Sequence, residues 1–269
     1  MMKFFVAIAF LLSFLISCQK EGCTDESATN FDANADINDG SCVYNNSGNV
    51  DTDESDDTNE DGDTDKEIES KPGTGVTFDG YTYTSIILGN GQEWMVENLR
   101  ANKYCNGDSI PNIKDSDEWE SLTNGAWSHY ANNVQNEEAF GKLYNWYSVE
   151  DDRNICPCGW HVPSNDEWNN LIDYLGGQVK AGGKLKSTDT LYWNSPNHYA
   201  SNKIGFYGLP GGTRFNGNFV DRGLHGLFWS STEYYPPSVR GFGLGQQIEH
   251  IFRKDVNKKR GMSVRCIKD

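Results

Sequence analysis

At 269 residues, with 36% hydrophobic and 13% aromatic side chains, the chain has enough apolar material for one large packed domain or two small ones. Its net charge of −16 is unevenly placed: residues 19–75 carry 17 Asp/Glu against three Lys, whereas residues 76–269 carry 22 Asp/Glu against 19 Lys/Arg. The acidity belongs to the first part of the chain, and the absence of a basic stripe to neutralise phosphates argues against nucleic acid as a partner.

Residues 4–16 form an apolar run behind Lys3, too short to span a bilayer comfortably and placed where a signal peptide sits. Leu15-Ile16-Ser17-Cys18 resembles the lipobox of bacterial lipoproteins, whose Cys is diacylated and becomes the mature N-terminus. The resemblance implies a leader at 1–17 that is removed and a membrane anchor on Cys18, with the rest of the protein at the outer membrane or cell surface. The alternative is an ordinary cleaved leader with an incidental Cys.

An extracytoplasmic compartment oxidises thiols, so the other six Cys are disulfide candidates. Cys23 and Cys42 bracket a small polar stretch, and a local bridge is their simplest pairing. Cys105, Cys156, Cys158 and Cys266 remain for the globular part, where Cys156 and Cys158, one residue apart, are poor partners for each other. Residues 22–44 resemble a Cys-bounded module that recurs in secreted proteins of the Bacteroidetes. Asp32, Asn34, Asp36, Asn38 and Asp39 alternate oxygen side chains that could ligate Ca²⁺. Ile37, where an EF-hand loop needs Gly, favours a disulfide-closed knot of Asx turns over a metal site. The first domain after the leader is thus 18–44.

Residues 45–75 are an acidic spacer: eleven Asp/Glu fall between 51 and 70, with too little apolar surface to offset the entropy of ordering. Asp57, Asn59, Asp61, Gly62 and Asp63 imitate the start of an EF-hand loop, but Ile68 stands at its twelfth position. A disordered, solvated tether is the expectation.

The globular domain is expected over 76–269. Alternating β-branched and aromatic residues at 81–87, an Asn90-Gly91 turn and the strand-like 93–96 predict a hairpin. Phe140, Leu143, Tyr144 and Tyr147 share a helical face and predict a helix over 137–148, with Gly141 as its weak point. Ser164 and Glu167 form a capping box ahead of Trp168, Leu171, Ile172 and Leu175, and Gly176-Gly177 ends the run, which predicts a helix close to 165–175. Strand-like pieces follow at about 204–209, 226–232, 239–245 and 261–267. Two helices followed by short strands predict an α+β fold.

Several blocks resemble the Fibrobacter succinogenes major paralogous domain in order: Trp94-Met95-Val96-Glu97-Asn98-Leu99, Gly141-Lys142-Leu143-Tyr144-Asn145-Trp146-Tyr147, Cys156-Pro157-Cys158-Gly159-Trp160-His161-Val162-Pro163-Ser164, Gly208-Leu209-Pro210-Gly211-Gly212, Trp229-Ser230-Ser231-Thr232 and Ser263-Val264-Arg265-Cys266. That pattern in turn resembles the formylglycine-generating-enzyme type of C-type-lectin-like fold, which implies two helices flanking short twisted antiparallel sheets and an irregular loop region that presents a ligand surface. The resemblance implies a Cys156–Cys266 bridge, and leaves Cys105–Cys158 as a second bridge private to this chain.

No catalytic constellation stands out. The late half holds only Cys266, so the paired copper cysteines of formylglycine-generating enzymes have no counterpart. The five His show no metal spacing, and His161, just before the capping box, reads as an oriented structural His. Exposed aromatics and amides suit recognition of sugar or protein. The candidates are Trp193, Asn194 and Asn197 in one loop, Arg214 and Asn216 in a second, and Tyr234 and Tyr235 before two prolines. The expectation is a non-catalytic binding or adhesion lipoprotein with a carbohydrate or protein ligand. The alternatives are an extracellular enzyme or accessory subunit acting on polysaccharide, and a structural envelope protein.

Overall fold

The computed structural model describes residues 20–22, 32–34, 37–38, 68–235 and 238–269. The chain divides into two units, Met1–Gly62 and Asp63–Asp269. In the first, Glu21–Gly22 pairs in parallel with Ile37–Asn38. The expected Cys23–Cys42 bridge, Cys18 and most of the acidic spacer lie outside the described residues.

The second unit is α+β. The Asn90-Gly91 turn joins Ser85–Leu88 to Glu93–Met95, and these two strands are the middle of a five-stranded antiparallel sheet. Its order is Trp160–His161, Ile267–Lys268, Glu93–Met95, Ser85–Leu88, Ser70–Pro72. The folded unit therefore takes in residues assigned to the spacer, because Ser70–Pro72 has an open strand edge to join. A three-stranded antiparallel sheet, His225–Tyr235, Ser238–Gly245 and Phe252–Asn257, forms the second layer. Side chains alternate across the strands, so neighbours enter different cores. Met95 and Trp229 pack in one, with Tyr144, Trp146 and Val264, while Trp94 and Phe228 pack in the other, with Trp168, Phe206 and Phe242.

The capping box forms as the sequence predicts: Ser164 Oγ accepts from the Glu167 amide, and Glu167 accepts from the Ser164 amide, at the start of Asn165–Tyr174. Other elements differ from expectation. The 81–87 run splits, because Tyr81–Tyr83 folds back on Val76–Phe78 around Asp79 and Gly80, both at positive φ. The single helix over 137–148 does not form. Glu137–Phe140 ends at Gly141, whose φ of 69° and ψ of −153° turn the backbone into Leu143–Tyr144 before a second short helix, Trp146–Val149. A Cβ at Gly141 would sit 2.7 Å from the Leu99 carbonyl oxygen.

A helix the glycine-rich sequence obscured, Gln178–Leu185, follows Gly177. Gly182 lets it lie against the Glu249 backbone, where a Cβ would come within 2.4 Å of the carbonyl oxygen. Residues 204–209 make no strand, since Gly205 and Tyr207 take positive φ. Of 261–267 only the end is a strand, Ile267–Lys268, because Gly261, Met262 and Ser263 each bridge a different partner: Arg214, Tyr144 and Phe228. The Cys156–Cys266 and Cys105–Cys158 disulfides are both formed.

Arg265 lies between the cores, 1% exposed. Its Nη2 and Nε donate to Asn98 Oδ1 at 2.6 and 3.2 Å, and Nη1 donates to the carbonyls of Phe206 at 2.6 Å and Met95 at 3.2 Å. The guanidinium carbon sits 4.3 Å from the Phe206 ring centre. Burial pulls its pKa down to about 9, which leaves it charged at neutral pH. Asn98→Ala leaves two donors of this buried cation without their acceptor, and is expected to destabilise the protein by about 3 kcal/mol, read as a lowered denaturation midpoint.

Candidate functional site

Thr213–Phe215 pairs with Asn218–Val220 across a two-residue turn, Asn216 at φ 47° and Gly217 at φ 71°, which is the Asn-Gly hairpin geometry. Alternation along the first strand sends Arg214 inward and Phe215 outward. Arg214 is fully buried, and donates to the carbonyls of Ile113 at 2.6 Å, Lys114 at 3.0 Å, Asp115 at 2.8 Å and Gly217 at 3.3 Å. Phe215 is 45% exposed. The turn is held against the helix Ser116–Ser121, where Glu120 Oε1 accepts from the Gly217 amide at 2.8 Å.

The facing wall is Phe252–Asn257 and the turn that follows it. Arg260, buried, donates through Nε to Thr213 Oγ1 at 3.0 Å, and its guanidinium carbon lies 4.7 Å from the centre of the Phe215 ring. Two neighbouring depressions of about 420 and 180 Å³ share Phe215, Asn257 and Arg260. Asp221, Lys254 and Asp255 add charge to the larger; Glu120, Asn216 and Lys259 line the smaller. Asp221 Oδ2 is 3.7 Å from His225 Nδ1, and His225 lines a third hollow of about 290 Å³ with Leu224 and Gln246.

Charges in this groove are unequally matched. Asp255 accepts from Arg240 at 2.9 and 3.2 Å. Burial lowers the pKa of Arg260 below the usual arginine value, with Asp221 opposing; burial and the nearby Arg260 both lower that of Lys254. The combination of an exposed ring, amide side chains and cations in a hollow of this size fits a small polar ligand with one apolar face.

Of the residues singled out from sequence, only Asn216 lines this groove. Trp193 is a correction: its indole is 2% exposed and donates to the Gly208 carbonyl at 3.1 Å, so it belongs to the core. Arg214 is a second correction, since its guanidinium is consumed by backbone carbonyls. Asn194 is exposed, and its carbonyl accepts from Gln246 Nε2 beside the third hollow. Asn197 is half-buried and donates to the Ser187 carbonyl at 2.8 Å. Tyr234 is 48% exposed beneath Arg240, whose guanidinium carbon lies 3.8 Å from its ring centre; Tyr235 continues the strand His225–Tyr235, and its side chain lies outside the described residues.

Phe215 lies inside the candidate loop 214–218, whereas Asp221, Lys254, Asn257 and Arg260 escaped sequence reasoning. Two signals pointed to them: the Asn216-Gly217 turn, and the run 253–260, in which five of eight residues are basic within an acidic chain.

Within the Ca²⁺ candidate, Asp32 accepts from Lys20 Nζ at 2.6 Å and from the Asn34 amide at 2.9 Å, and these contacts hold its carboxyl below the usual range. Asp36, Asp39 and the side chain of Asn38 lie outside the described residues. Among the described residues no cluster of three or more His, Cys, Asp or Glu is placed to hold a metal.

The family model for the Fibrobacter succinogenes major domain matches residues 88–268, and the chain belongs to that family. Nothing matches significantly among curated proteins or among solved structures.

His161 holds the end of the domain. Its Nδ1 meets Asp269 Oδ1 at 2.6 Å and its Nε2 meets Glu167 Oε1 at 2.8 Å. Burial opposes its charge, but the two carboxylates outweigh burial and raise its pKa above the ordinary value. A raised folded-state pKa stabilises fully below the unfolded His value of about 6.5, and the contribution is lost as the pH climbs through the folded value. His161→Ala should therefore lower the urea midpoint more at about pH 5.5 than at about pH 9. An equal effect at both would show that the ring acts by packing alone.

Proposed function

We propose that this member of the Fibrobacter succinogenes major domain family is a non-catalytic binding or adhesion module, held outside the cytoplasm by a lipid on Cys18, and that it recognises carbohydrate in the Phe215 groove. The observation that carries the reading is Phe215 itself: an aromatic ring left open beside Asn216, Asn257 and the Arg260 guanidinium. A ring covers the apolar face of a sugar while amides and charged groups satisfy its hydroxyls. The groove carboxylates are already engaged, Asp255 by Arg240, Glu120 by the Gly217 amide and Asp221 beside His225, which favours binding over general acid–base chemistry.

Part of the same proposal is that the α+β domain has the C-type-lectin-like architecture of the formylglycine-generating-enzyme type. Asn165–Tyr174 and Gln178–Leu185 beside small antiparallel sheets, and a disulfide from just before the capped helix to the chain's last strand, support it. The anchor is a proposal from the sequence; among the described residues no helix is long and apolar enough to cross a membrane.

Two measurements test the reading. A glycan array followed by calorimetry on the purified chain should find a saturable ligand whose affinity falls at least about tenfold in Phe215→Ala, the loss expected when a central aromatic anchor is truncated. Absence of any glycan ligand would move the function to a protein partner. In cells, a fatty-acid analogue should label the protein, and Cys18→Ser should abolish that label; persistent labelling would place the anchor elsewhere.

A further inference from the structure

Buried cations in this domain follow a rule, with one exception. Arg214 uses all three guanidinium nitrogens on backbone carbonyls, and Arg265 uses all three on Asn98, Met95 and Phe206. Lys186 Nζ donates to the carbonyls of His198 at 2.5 Å, Gly245 at 2.9 Å and Ile248 at 2.9 Å. Lys142 Nζ donates to the Arg100 carbonyl and to Asn102 Oδ1, and sits 3.3 Å from Glu137. Arg260 is 7% exposed, yet only its Nε has a hydrogen-bond acceptor among the described residues. Its two terminal nitrogens have no hydrogen-bond acceptor among the described residues and are not shut off from solvent, at a residue that lines both depressions.

A second, exposed cation lies beside it. Lys254 lines the same depression, and its side chain has no ion pair or hydrogen bond among the described residues. With Asp255 taken by Arg240, the larger depression sets Lys254 and Arg260 against Asp221, which itself lies beside His225. This local excess of positive charge stands in a chain of net charge −16. A guanidinium presents paired N–H groups in the spacing of a carboxylate's two oxygens, and a neighbouring ammonium adds a point charge. The Phe215 ring, whose centre is 4.7 Å from that guanidinium carbon, is 45% exposed and supplies an apolar platform beside the charge.

We propose that the groove takes an acidic sugar, with the carboxylate of a uronic acid residue on the terminal nitrogens of Arg260, Lys254 beside it, and the sugar ring over Phe215. The inference rests on the carbohydrate reading above and narrows its ligand class. An acidic peptide would offer the same carboxylate, but the open ring beside the cation favours a sugar, which has a flat apolar face to lay on it.

The test is calorimetry on the purified chain with oligogalacturonate, its methyl ester, a neutral gluco-oligosaccharide of the same length, and poly-glutamate. Oligogalacturonate should bind, and the ester should bind at least about tenfold more weakly, because esterification removes the charge and one acceptor. Arg260→Gln should reduce the preference for the acid over the ester severalfold, a ratio read on one and the same variant and so independent of any loss common to both ligands. Lys254→Gln, at an exposed position, should reduce the preference partway and guards against a folding defect in the buried variant. Equal affinity for acid and ester, or poly-glutamate binding as well as oligogalacturonate, overturns the inference. If the neutral sugar binds as tightly as the acid, the carbohydrate reading stands and the acidic preference falls. If no sugar binds, both fall.

Discussion

The fold depends on a charged group in its centre. Arg265 is buried where the two apolar cores meet, and the atoms it reaches, Asn98 Oδ1 and the carbonyls of Met95 and Phe206, belong to two stretches of chain about a hundred residues apart. A Leu or Met there would fill volume, but it would leave those carbonyls and the Asn98 amide oxygen without a donor. Lysine would supply a single nitrogen, whereas the planar guanidinium reaches three directions at once. Its flanking residues extend the effect: Val264 accepts from the Leu99 amide, and Cys266 accepts from the Met95 amide and is bonded to Cys156. Asn98 in turn donates to the Phe140 carbonyl at 2.9 Å. One short stretch thus ties the first hairpin, the capped helix and the central loops together.

The same device recurs because this domain has little regular structure to satisfy its backbone. Many strands are two or three residues long, and several helices have only one turn. Loop carbonyls that no ladder reaches must be paired some other way. Lys142, Lys186 and Arg214 do this by extending a long apolar stem through the core and ending on clustered carbonyls, while aromatic rings cover the stem: Trp127 lies 4.4 Å from Lys142 Nζ and Trp119 lies 4.3 Å from the Arg214 guanidinium carbon. The cations and tryptophans of the domain are therefore largely one structural system. That system explains why so many aromatic side chains coexist with so few long elements.

This also sets what the sequence could reveal. Features fixed by neighbours in the chain were legible: the Asn90-Gly91 turn, the Ser164–Glu167 capping box, and the family blocks that carry Asn98, Cys156 and Arg265. Features fixed by distant atoms were not. Nothing local distinguishes Gly141 as a helix end from a helix that merely tolerates glycine; the obstacle is the Leu99 carbonyl, 42 residues away in sequence. Gly182 sits in a helix that no local signal announced, pressed on Glu249. Trp193 and Arg214 were misassigned to a ligand surface for a related reason. Composition shows that aromatics and amides are present in a loop, but not which way they point. In Arg214-Phe215-Asn216 the decisive information is strand alternation, which becomes readable once Asn216-Gly217 is recognised as a hairpin turn. Then Arg214 and Phe215 must face opposite ways, and only one of them can meet a ligand.

The groove inherits its rigidity from the segment that carries Arg265. Arg260 precedes Gly261, which pairs with Arg214 through both backbone hydrogen bonds, at 2.9 and 2.8 Å; Met262 pairs in the same way with Tyr144, and Ser263 accepts from Trp229. Arg260 Nε is fixed to Thr213, two residues from Phe215, so the two walls are joined at the point where ring and guanidinium meet. Lys258, two residues earlier, is held by Glu150 at 2.9 Å and Glu233 at 3.0 Å. The ring and the cation therefore need no rearrangement before contact, and binding there would not have to overcome the entropy of ordering a loop. The clamp that holds the core together and the geometry of the groove are consequences of the same stretch of chain.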